Sequence, residues 1–170
     1  MTDPERHVEN RNKVESLLLK IPGFRGYLEK EYRRESDHLA RTWLADRFHQ
    51  AKIGLDNFTR SLVEAANLDD LPHFERLRGR IDGLQSKVRG DVRGYSGFFD
   101  YVRVDEQTLD DVYDHDMSLM GDVESLVDSV DGLAGSDKSP SALASDLLGQ
   151  VEAIEREYAK RSEMLRGLSD

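Results

Sequence analysis

The sequence has no cysteine, no run of more than three consecutive apolar residues, and no stretch alternating β-branched or aromatic residues with polar ones. Without thiols there is neither a disulfide framework nor a zinc site built on thiolates. Without an apolar run approaching 20 residues, nothing reads as a membrane-spanning helix. The opening Met-Thr-Asp-Pro-Glu-Arg-His also lacks the basic start and apolar stretch of a secretory signal, so the expected address is the cytoplasm. The lack of alternation excludes most strand structure. Equally missing are a phosphate-cradling GxxxxGK[ST] or GxGxxG loop and a GxSxG elbow. The expectation is therefore a non-enzymatic protein with no catalytic residue, no cofactor and no metal.

What is present is charge and helical period. Of 170 residues, 38% are hydrophobic and 34% charged, too apolar for disorder and well above the charged fraction of about 25% usual in globular domains. The net charge of −10 is concentrated: from Asp100 to Asp131 eleven carboxylates stand against the single cation Arg103. Between Arg76 and Arg93, six Lys/Arg face only Asp82 and Asp91. This basic segment is expected to pair with the acidic one that follows it. An acidic chain repels phosphate, which argues against nucleic acid.

Helix signals place five elements in one domain over residues 1–170. Asp3-Pro4 caps a first helix over 1–20, which Ile21-Pro22-Gly23 stops. A second runs from Tyr27 to Asn67, with Leu44, Phe48, Ala51, Leu55, Phe58, Leu62 and Ala65 spaced four and three apart as a bundle seam. Asp69-Asp70 caps a third, striped by Leu71, Phe74, Leu77, Ile81, Leu84, Val88 and Val92. The aromatic link Gly94–Phe99 is expected to tuck against the bundle end. Asp105 caps a fourth helix with Leu109, Val112, Tyr113, Leu119, Met120, Val123, Leu126 and Val127 inward. Residues 131–139 form a flexible linker, and Ser139-Pro140 starts a fifth helix whose seam is Leu143, Leu147, Val151, Ile154, Tyr158, Arg161 and Leu165. The expected fold is all-α: an antiparallel up-down four-helix bundle over 27–168 with an additional N-terminal helix.

Ile21-Pro22-Gly23-Phe24-Arg25-Gly26-Tyr27, continuing through Lys30-Glu31, Arg33-Arg34-Glu35 and Asp37, resembles a group of uncharacterised bacterial helical proteins with an IPGxxGYxxKExRRExD signature. A downstream block, Gly94-Tyr95-Ser96-Gly97-Phe98-Phe99-Asp100 with Val104-Asp105-Glu106, is similar to the matching segment of that group. The likeness spans roughly residues 18–130. It implies a helical fold and, with no established activity in the group, brings no catalytic residue.

Two carboxylates fall where a bundle places apolar residues. Glu35 lies on the face marked by Leu28, Tyr32 and Leu39, and Asp116 interrupts the stripe of the fourth helix. Buried carboxylates need partners, and Arg33, Arg34, His38, Tyr113 and Arg161 are within plausible reach. The expectation is a buried polar network of Glu35, His38, Tyr113, Asp116 and Arg161, with nearby Asp110 and Asp114 facing water. Glu35-x-x-His38 also has the carboxylate–imidazole spacing of di-iron bundles, as do Asp46-x-x-His49 and Asp70-x-x-His73 with Asp in place of Glu. No second Glu-x-x-His exists to complete such a site. The reading is thus an interaction or scaffold protein engaging a protein partner or a second copy of itself. The alternative is a ligand- or metal-binding bundle of ferritin-like architecture built on Glu35, His38 and Asp116.

Overall fold

A computed structural model describes residues 4–90 and 106–166. Among them the chain is all-α: α1 (Pro4–Lys20), α2 (Lys30–Glu64), α3 (Leu71–Gly90), α4 (Glu106–Asp131), a 3-10 turn at Leu133–Gly135, and α5 (Pro140–Arg166). The stripes read from the sequence form the core. Leu44, Phe48, Ala51 and Leu55 of α2 are buried with Phe74, Leu77 and Ile81 of α3, Val123 and Leu126 of α4, and Val151 and Ile154 of α5. Phe58 is partly buried against Phe74 at a centroid distance of 5.0 Å, while Ala65 is exposed beyond the end of α2.

Local signals set several boundaries. α5 begins at Pro140, whose missing amide costs nothing at N1, and the Ser139 hydroxyl accepts the Ala142 amide at 3.2 Å. The link before it is not wholly solvated, because Leu133 is buried. α2 starts at Lys30 rather than Tyr27, because Tyr27 is drawn into the core before the helix begins. Gly54 does not interrupt α2. Its missing side chain admits Val130 of α4, which a Cβ there would strike.

The helices run up, down, up, down along the chain, but they do not close as a ring of antiparallel neighbours. α2 packs on α3 and α4, and α5 packs on the same two, so α3 and α4 stand diagonally opposed. Arg47–Glu124 and Gly54–Val130 pair α2 and α4 in parallel, and the successive contacts Arg80–Glu152 and Lys87–Tyr158 pair α3 and α5 likewise. The bundle is two antiparallel hairpins side by side. Among the described residues, the ion pairs of the basic α3 run to α2 and α5 rather than to the acidic α4. Arg78 pairs with Asp56 of α2 at 2.7 Å, Lys52 of α2 meets Asp82, and Arg80 takes the two glutamates of α5. Charge pattern along a sequence states what must be neutralised and is silent on which helix lies alongside. The connection at 91–105, with the Gly94–Phe99 link, the Asp105 cap and Val92, lies outside the described residues, as do Asp3 and residues 167–170.

α1 packs on α4 with Leu17 buried in the common core and with Lys13 reaching Asp114 at 2.9 Å and Asp110 at 3.6 Å. The contact corrects one expectation. Asp110 is buried, only 7% exposed, because α1 covers it, whereas Asp114 faces solvent.

Candidate functional site

The turn from α1 into α2 builds one wall of the site. Ile21, Phe24 and Tyr27 recur every third residue and all point inward. Gly23 and Gly26 hold φ of +87° and +85°, the left-handed region that favours glycine. At Gly26 the need is doubled, since an added Cβ would lie 2.6 Å from the Tyr113 hydroxyl and 2.8 Å from Val14. The first turns of α2 clamp this segment. Arg33 donates from Nε to the Tyr27 carbonyl and from Nη2 to the Leu28 carbonyl at 3.2 Å, and the Ser36 hydroxyl accepts the Arg25 amide at 3.2 Å. From α4, the Tyr113 hydroxyl accepts the Tyr27 amide at 2.6 Å, and the two rings stack at 5.3 Å.

Beneath this wall, charged side chains from α2, α4 and α5 converge, joined by a backbone carbonyl of α3. Arg161 of α5 donates from Nε to Asp116 of α4 at 2.7 Å and from Nη2 to Asp37 of α2 at 2.8 Å. Asp37 also accepts Arg41 Nε at 2.8 Å, while Arg41 Nη1 donates to the Val88 carbonyl of α3 at 3.3 Å. The remaining oxygen of Asp116 accepts the Tyr27 hydroxyl at 2.8 Å. Asp37, Arg41, Asp116 and Arg161 are each under 5% exposed, and two carboxylates against two guanidiniums balance. A buried charge is costly alone and tolerable when paired and hydrogen-bonded.

The surroundings hold protons firmly. Burial pushes the Tyr27 phenol well above its ordinary range, reinforced by the Asp116 charge. Burial raises Tyr113 as well, against backbone amides of Tyr27 and Leu28 that pull it down. At Arg161 burial opposes the charge, yet Asp116 and Asp37 outweigh it and raise the guanidinium well above its usual value. Such a cluster is closed to solvent. Its hydrogen bonds tie α2, α4 and α5 to one point.

Of the five residues expected in a buried network, Tyr113, Asp116 and Arg161 meet here. Glu35 and His38 do not, since both are exposed on the outer face of α2. The inner face of the first turns is carried instead by Arg33, Ser36, Asp37, Ala40 and Arg41. Leu28, used to register that face, precedes the helix and is 46% exposed. The signal that locates it is the seam further along α2: stepping back from Phe48 and Leu44 by the same threes and fours lands on Arg41, Asp37 and Arg33. Tyr27 gave no such signal, because its burial depends on a turn rather than on helical period. With Glu35 and His38 outside and Asp116 bonded to Tyr27 and Arg161, the residues of the ferritin-like alternative do not converge. Asp46 and His49, and His73 of the other spaced pair, are also exposed. Among the described residues no three His, Asp or Glu side chains are grouped to hold a metal ion, and no helix is long and apolar enough to cross a membrane. Compared with protein-family models, with curated proteins and with solved structures, the chain gives no match.

Proposed function

We propose that this chain is a non-enzymatic interaction module of the cytoplasm, engaging a protein partner or a second copy of itself through the surface of α1. The observation that supports this reading is the apolar area that α1 and the following turn leave in water. Leu19 is 88% exposed, and Val8, Leu18 and Leu28 are 54%, 45% and 46% exposed. α1 shields Asp110 on one side and presents Leu18 and Leu19 to solvent on the other, and exposed apolar area of this kind marks interaction surfaces. The charge-balanced interior fits the same reading, because its acids and bases are closed to a substrate.

The test compares the wild-type chain with Leu18→Ser/Leu19→Ser by sedimentation and by quantitative affinity capture, using circular dichroism as a check on folding. A self-associated state or a captured protein that the wild type holds and the folded variant loses supports the reading. A wild type that stays monomeric and captures nothing the variant does not also capture overturns it.

A further inference from the structure

A second feature of α1 shares Val8 and Leu28 with that surface but involves neither Leu18 nor Leu19. A groove of about 420 Å³ opens between α1 and the segment leading into α2. Its sides are Val8 and Val14 of α1 and Leu28 and Tyr32 opposite, with the buried ring of Tyr113 as its floor. Arg11 and Arg25 stand among these walls, with Glu29 as the one carboxylate. The volume is within the range of small-molecule sites and holds about fourteen non-hydrogen atoms at roughly 30 Å³ each, the share of one water in the liquid.

The charges select the occupant. In a chain of net charge −10, this apolar groove carries two guanidiniums to one carboxylate. Arg25 lies over the Tyr32 ring at 4.7 Å, a contact that leaves its N–H edge free to donate to an anion. Among the described residues Arg11 pairs with Glu15 at 3.7 Å, with both side chains more than 60% exposed, and such pairs contribute little and exchange readily. We propose that the groove binds a monomeric single-chain carboxylate of about ten carbons, its chain against Val8, Val14 and Leu28 and its carboxylate taken by Arg11 and Arg25. Arginine's fork matches a carboxylate with two parallel hydrogen bonds, and aliphatic walls suit a flexible chain better than a polar body.

Isothermal titration of the full chain with sodium decanoate, decanol and decyltrimethylammonium tests the assignment. Saturable one-to-one binding of decanoate below about 1 mM is expected. Binding should weaken about tenfold or more for decanol and for Arg11→Ala/Arg25→Ala, and no binding is expected for the cation. Leu28→Asp, at an exposed position and so compatible with folding, should also abolish decanoate binding by placing a second carboxylate at the rim. Absence of saturable decanoate binding, equal binding by the arginine variant, or uptake only onto anionic lipid vesicles overturns the proposal. These readouts are separate from the partner capture that tests α1 as an interaction surface.

Discussion

Asp116 and Glu35 look alike in the sequence, each a carboxylate one turn from apolar neighbours, and the fold separates them completely. Asp116 is 4% exposed and bonded to Arg161 and Tyr27, whereas Glu35 is exposed. Removing Asp116 leaves two buried guanidiniums, Arg41 and Arg161, sharing the single carboxylate of Asp37, so Asp116→Ala is expected to cost about 3–5 kcal/mol. Glu35→Ala should change stability by no more than about 0.5 kcal/mol. Urea denaturation measures both, and equal effects would place Asp116 at the surface. Tyr27 adds a dependence on pH. Its phenol is raised in the folded chain, chiefly by burial, while in the unfolded chain it ionises near pH 10. A raised folded pKa means the contribution is full below the unfolded value and is lost as pH climbs from there toward the folded one. Stability should therefore fall as pH rises above about 10. Lys13 works in the same direction: burial lowers its pKa, but hydrogen bonds to Asp114 and Glu9 outweigh that and raise it. Tyr27→Phe should lessen the alkaline slope without removing it, as denaturation midpoints between about pH 8 and 11 would show. An unchanged slope would mean that the phenol is not buried in its neutral form.

Among the elements, α3, α4 and α5 were the most legible, because their inward faces repeat every three or four residues with few interruptions. In α2 the period is legible from Leu44 to Leu62 and hidden before that. There the inward positions are Arg33, Ser36, Asp37 and Arg41, polar residues that hide a helical stripe from any reading based on hydrophobicity. The packing order of the helices was not legible either. The seams of α3 and α4 suit either neighbour, and it is contacts such as Gly54 with Val130 that settle α2 beside α4. That contact makes a prediction against helix propensity. Alanine normally stabilises a helix by about 1 kcal/mol over glycine, and Gly83→Ala, with nothing within 4 Å of the new methyl, should gain up to that amount. Gly54→Ala should instead destabilise by about 1–3 kcal/mol by forcing Val130 out of its place. Thermal denaturation of the two variants would show opposite shifts; a gain at both positions would mean that α2 and α4 are not so close at Gly54.

Across the whole molecule, the four buried charges and the 21–29 turn give the bundle a specificity that its leucine seams lack. Apolar seams tolerate sliding by a turn, since leucine packs almost as well on the next valine. Arg161 can meet Asp37 and Asp116 together only when α2, α4 and α5 are level with one another, and Tyr27 fastens the incoming chain to the same point. Interiors of this kind are often no more stable than apolar ones, and a role in fixing register is a hypothesis to be tested in each case. The most direct measurement is a double-mutant cycle on Asp116→Ala and Arg161→Met, read from urea denaturation of the two single variants and the double. The account predicts that the double variant loses about 2–3 kcal/mol less than the sum of the singles, because each single strands a charge that the double removes. Additivity within about 0.5 kcal/mol would contradict it, showing that the two side chains do not share a buried contact at the centre of the bundle.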